Sequence, residues 1–216
     1  MKFTKKLLGQ MLASASAVIE ENAAMLNSLD AATGDGDHGT AINAAIKAAA
    51  AAAQKDGNLA NTLQAIGWDV MSSTSGSTST LTGSFFLGMA NAAQSDELNV
   101  QETITLFEAG LANVRLSTKA TVGDKTLMDS LIPAIEAMNT IKKSENLNNT
   151  SLADLFQAAA TAAQKGADTT KDLLARYGRA KNIGERSKGN LDAGAVSTAL
   201  IYKAYANTIL NESQKN

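Results

Sequence analysis

A single proline among 216 residues, set against 40 alanines, leaves little in this chain to interrupt α-helices. Apolar residues recur at helical spacing, as in the stripe Phe3, Leu7, Met11, Ala15, Ile19 and Leu26, and no stretch alternates convincingly as a strand would. Spacing and punctuation predict eight helices, near 3–27, 39–54, 58–71, 80–94, 99–116, 125–141, 151–175 and 194–211. Gly57-Asn58, Ser95 to Asn99 and the polar run Lys142 to Thr150 read as short turns between packed helices. Pro133 falls inside the sixth segment and is expected to kink it. Ala41 to Ala53 reads as a close-packing helix, and no repeat or linker divides the chain, so residues 1–216 are expected to form one domain of the all-α class.

Charge and cysteine content narrow the function. With 19 basic and 21 acidic residues the net charge is -2, too balanced for a chain whose main work is gripping nucleic acid or an anionic membrane. Absence of cysteine removes disulfides, thiolate metal sites and cysteine nucleophiles, and fits a cytoplasmic address. Lys2, Lys5 and Lys6 ahead of Leu7-Leu8 imitate a secretion signal, but Gly9 and Gln10 break the apolar run that one needs. No window reaches the roughly 20 apolar residues of a membrane span.

Four polar, glycine-bearing connections depart from the helical pattern: Asp30 to Gly39, Ser72 to Gly83, Ser117 to Thr126 and Gly178 to Gly194. They follow the first, third, fifth and seventh helices. In an up-and-down bundle odd-numbered connections share one end, so the four are expected to meet in one composite site.

The first connection places Asp30, Asp35 and Asp37 within eight positions, a repulsive set unless a hard cation such as Mg²⁺ or Ca²⁺ holds it. The alternative is structural, with Asp30 ending a helix and Asp35 and Asp37 serving as turn and N-cap residues. An EF-hand fails because the twelfth position from Asp35 is Ile46. The glycines Gly34, Gly36 and Gly39 match a dinucleotide fingerprint only by accident, since a helix rather than a strand precedes them. His38 is the sole histidine, which excludes catalytic triads and multi-histidine metal sites and leaves a structural hydrogen bond or a phosphate contact.

The second connection supplies eight hydroxyls in the nine residues Ser72 to Thr80, donors for an anion at a helix start or else a flexible linker. In the third, Gly123-Asp124-Lys125-Thr126 is expected to open a helix with Asp124 as N-cap. The fourth runs for 17 residues with four glycines, Arg179 and Arg186, long enough for a binding loop or lid, or for a solvated turn. Together the acids, hydroxyls and arginines favour a Mg²⁺-nucleotide site over four independent caps.

The motifs Gly34-Asp35-Gly36-Asp37-His38-Gly39, Gly123-Asp124-Lys125-Thr126 and Gly178-Arg179-Ala180 through Gly184-Glu185-Arg186-Ser187 stand in the order found in dihydroxyacetone kinases. End to end, the chain resembles their nucleotide-binding L subunit. The resemblance implies an eight-helix antiparallel up-and-down barrel with the nucleotide, ADP or ATP, at one end. It further implies two Mg²⁺ ions held by Asp30, Asp35 and Asp37, and nucleotide contacts from His38, Gly39, Thr40, Ser77 and Thr78. Leu127 would lie beside the adenine, Arg179 at the phosphate or adenine side, and Asp192 with Gly194 at the eighth helix.

By the same resemblance the chain is half an enzyme. Its partners would be a K-type subunit that holds dihydroxyacetone and an M-type subunit that donates a phosphoryl group from a phosphohistidine of the phosphotransferase system. The family usually carries asparagine in place of Ala41, histidine in place of Asn190, proline in place of Ala193, and a glycine-proline loop across Ser75 to Gly83. Rival readings are an ATP-dependent kinase for another short ketose or a carrier-bound acyl group, and a non-catalytic partner-binding regulator.

Overall fold

The computed structural model describes residues 1–145 and 147–215; Asn146, in the expected turn Lys142 to Thr150, and Asn216 lie outside the described residues. Eight α-helices are present among them: α1 Lys5–Ala31, α2 His38–Ala52, α3 Leu59–Ser73, α4 Ser77–Ala92, α5 Val100–Ser117, α6 Met128–Lys142, α7 Leu152–Thr169 and α8 Ala193–Ser213. Each helix packs on the next and α8 packs back on α1, so the helices form a closed ring. No described helix is long and apolar enough to cross a membrane.

Local chemistry sets most of the helix starts. Thr4, Asn58 and Asp192 cap α1, α3 and α8 through their side chains, and Asn99 with Glu102 and Ser151 with Asp154 form reciprocal capping boxes on α5 and α7. These bonds satisfy amide donors that the first helical turn leaves open.

The expectation of no strands needs a small correction. Phe3–Thr4 (β1) and Glu97–Leu98 (β2) pair antiparallel, Phe3 with Leu98 and Thr4 with Glu97. Two residues are too few to show alternation, and the pairing joins distant parts of the chain. Phe3 is held there by its ring, which meets Phe107 edge-on and stacks parallel to Phe156 with centroids 6.1 and 6.5 Å away.

Four boundaries also move by three residues or more, and the first helix runs on to Ala31 instead of ending near 27. The fourth helix begins at Ser77 instead of residue 80, because Gly76 at φ 109° turns the chain and the Ser79 and Thr80 hydroxyls donate to Thr74 and Gly76 carbonyls within the turn. The sixth begins at Met128 instead of residue 125, since Lys125 sits at φ 60°, outside helical geometry. The seventh stops at Thr169, followed by one 3₁₀ turn over Thr170–Asp172 and an extended Leu173.

The proline expected to kink the sixth helix lies inside an unbroken α6. Pro133 cannot donate to the carbonyl of Asp129, four residues earlier. That carbonyl instead abuts Gly166 of α7, where a Cβ would lie 1.9 Å from its oxygen. The missing hydrogen bond and the missing side chain thus occur at one helix crossing, and α6 and α7 approach closely there.

Candidate functional site

The connections after α1, α3, α5 and α7 meet at one end of the ring around an open cavity of about 580 Å³. The count of odd-numbered connections anticipated this gathering. Ten of the twelve expected site residues line the cavity; Gly39 and Thr40 do not. Gly39 is pressed against α1, where a Cβ would fall 2.0 Å from the Ala23 carbonyl oxygen, and Thr40 exchanges hydrogen bonds with Asn27 of α1. Both therefore dock α2 on α1 beneath the acids.

In the first connection the three aspartates divide their work. The Asp30 carboxylate, at the end of α1, accepts the amides of Gly36, Asp37 and His38 through one oxygen at 2.9, 3.0 and 3.3 Å. It thereby folds the turn over itself and does the capping that the structural alternative assigned to Asp37. Asp37 occupies the N-cap position of α2, yet its side chain makes no capping bond. The exposed Asp35 pairs with Arg179 of the fourth connection at 2.9 Å. Each of the three offers a carboxylate oxygen, and these oxygens lie within 4.8 Å of one another. Carboxylate oxygens this close together are of the kind that could hold a hard divalent cation.

His38 opens α2 and reaches inward. Its Nε2 lies 2.9 Å from the Ser197 hydroxyl of α8 and its Nδ1 3.4 Å from the Thr78 hydroxyl of α4. Burial pushes the imidazole pKa below its ordinary value, against the pull of Asp30 and Asp37. Beside it, the first turn of α4 has no side-chain cap, and Gly76, Ser77 and Thr78 line the cavity.

The third and fourth connections are tied together. Asp124 accepts the Thr121 amide through its side chain and the Arg176 amide through its carbonyl, and its carboxylate lies 3.5 Å from the Arg176 guanidinium. The expectation of Asp124 as N-cap of the sixth helix is therefore corrected. Asp129, inside α6, reaches back to accept the amides of Gly123 and Thr126, both at 2.7 Å. Desolvation raises the Asp129 pKa against those backbone bonds. Asp192 caps α8 by accepting the Ala195 amide at 2.7 Å, and burial lifts its carboxyl to about 7, with Asp129 adding to the rise and Lys125 opposing it.

The profile of the DAK2 domain matches residues 32–207. The chain belongs to the DAK2 domain family. The ADP-binding subunit DhaL of PEP-dependent dihydroxyacetone kinase 1 from Listeria innocua is 33% identical over 192 residues, covering 88% of this chain and 89% of that one. The corresponding Escherichia coli subunit is 33% identical over 186 residues, covering 84% and 86%. The crystal structure of the dihydroxyacetone kinase from C. freundii in complex with AMP-PNP and Mg²⁺ superposes with a TM-score of 0.71 at 27% identity. That match covers 96% of this chain and 34% of the kinase, so this chain spans about a third of that larger protein.

Several DAK2 site features escaped sequence reasoning. Lys125 was visible as part of a motif, but its burial and positive φ were not. Ser197 lies one turn inside α8 with no local signal of its bond to His38. Asp129 could have been found, since an aspartate three residues after a threonine is a capping-box spacing.

Proposed function

We propose that this chain is the nucleotide-carrying subunit of a PTS-dependent dihydroxyacetone kinase. The observation that carries the reading is the cavity end itself, where three carboxylate oxygens within 4.8 Å face an uncapped helix N-terminus across a volume suited to a nucleotide. Asp30, Asp35 and Asp37 would hold two Mg²⁺ ions, which offset charge on the transferred group when bound. The amides of the α4 first turn, with Ser77 and Thr78, donate to phosphate oxygens, and His38, bonded to the Thr78 hydroxyl and to Ser197, holds that hydroxyl in place. The third connection contributes the apolar side of the cavity, where Leu127 lies against Gly194, and this wall suits the adenine. Arg179 and Asp192 complete the fourth side.

The phosphoryl group is relayed from a phosphohistidine on an M-type subunit to dihydroxyacetone on a K-type subunit, with ADP as carrier. Positioning and charge are this chain's contribution. Both nitrogens of its sole histidine face hydroxyls, which argues against His38 as a covalent phosphoryl carrier. The test is reconstitution with labelled phosphate. A phosphorylated M-type partner should convert bound ADP to ATP without labelling this chain, and only a K-type subunit with dihydroxyacetone should discharge it. Label on this chain, or triose phosphorylation by this chain and ATP alone, would overturn the relay.

A further inference from the structure

Lys125 is the one residue other than glycine with a positive φ among the described residues, at 60°. It is also almost wholly buried, at 2% exposure. Each property is costly. A left-handed backbone at a residue with a Cβ costs about 1 kcal/mol or more, and a buried ammonium demands partners. Packing alone would be served better by an apolar side chain of the same length, so the ammonium itself must be used.

Its partners show the use. The Nζ donates to the carbonyls of Thr170, just past the end of α7, and Asn190, two residues before the cap of α8. No carboxylate lies within ion-pair distance of it among the described residues, and burial pushes its pKa below the ordinary value against the pull of Asp192, Asp129 and Asp172. Thr170 carries the tie onward, because its hydroxyl accepts the amide of Asp192 at 2.9 Å. One side chain from the third connection thus holds both ends of the fourth. The same two connections meet at the cavity, where a Cβ on Gly194 would lie 3.3 Å from Leu127 Cβ.

We infer that Lys125 is a positioning residue for the nucleotide: it locks Leu127 and Asp192 to Gly194 into one wall against which the base is held. The inference rests on the nucleotide reading above and adds which residue sets the geometry of the base side. The acids and the α4 N-terminus, which would take the phosphates, make no bond to Lys125. Loss of the ammonium should therefore loosen the base side and spare the phosphate side.

The experiment compares Mg²⁺-ADP with Mg²⁺-pyrophosphate by calorimetry on the full chain, as wild type, Lys125→Met and Lys125→Gln. ADP affinity should fall about tenfold or more in Lys125→Met and less in Lys125→Gln, which can still donate to one carbonyl, while pyrophosphate affinity stays within about twofold. Hydrogen exchange should quicken over 170–192 and not over 30–39. Unchanged ADP affinity in both variants overturns the inference, and so does an equal loss for both probes, which would mark a general structural role. A wild-type chain that binds neither probe removes the nucleotide reading itself, a result distinct from either of those.

Discussion

Replacing Asp30 by alanine should destabilise the chain even without metal or nucleotide, whereas Asp37→Asn should not. One Asp30 oxygen accepts three amides at 2.9–3.3 Å, and alanine leaves all three without that partner. A hydrogen bond to a charged acceptor contributes about 1.5–3 kcal/mol when buried. Here the turn is half open to water, which can replace part of each bond, so about 1 kcal/mol apiece is the fairer figure. Better helix propensity and relief of repulsion from Asp35 and Asp37 return roughly 0.5–1 kcal/mol. The net loss is about 2 kcal/mol, a fall of about 4–8 °C in Tm for a chain of this size. Asp37 makes no capping bond, so Asp37→Asn should stay within about 0.5 kcal/mol of wild type. Thermal unfolding of the three proteins in EDTA, followed by circular dichroism at 222 nm, reads the difference. If Asp30→Ala and Asp37→Asn melt together, the division of work among the aspartates is wrong.

Two further outcomes follow from packing and burial. Gly166→Ala would gain about 1 kcal/mol in helix propensity but place a Cβ 1.9 Å from the Asp129 carbonyl oxygen, and the clash should dominate with a net loss of about 2–3 kcal/mol in urea unfolding; a neutral or stabilising effect would contradict the close crossing. Asp192, whose folded pKa is raised to about 7 from an unfolded value near 4, favours folding fully below about pH 4 and loses that contribution as pH rises through 7. Its carboxyl carbon in an NMR titration should move with a midpoint near 7, and Asp192→Asn should remove the corresponding decline in stability between about pH 4 and 7; a midpoint near 4 would show that burial does not govern this carboxyl.

What the sequence made legible was what repeats or what is chemically unusual. Eight helices followed from periodicity, and the convergence of four connections followed from counting them. Asp30, Asp35 and Asp37 stood out because carboxylates rarely crowd without a cause. Positions set by contacts across the ring were not legible. Gly39 belongs to the same motif as the acids but faces Ala23, and nothing local distinguishes a glycine that admits a ligand from one that admits a helix. The β1 and β2 pairing, the crossing of Pro133 and Gly166, and the reach of Lys125 to Thr170 and Asn190 each join residues far apart in sequence. The start of α6 was misplaced for a related reason, since Asp124 and Asp129 are both plausible caps and tertiary geometry chooses the second.

The central claim is that the acids and the gathered connections form a metal-dependent nucleotide site. Calorimetric titration of ADP into the wild-type chain with Mg²⁺, with EDTA, and into Asp35→Asn and Asp37→Asn with Mg²⁺ tests it most directly. ADP should bind with Mg²⁺, and affinity should fall about tenfold or more in EDTA and in each variant, because a carboxylate removed from the set leaves the cation underligated beside the phosphates. Equal ADP affinity under all four conditions, or no ADP binding in any of them, would contradict the claim.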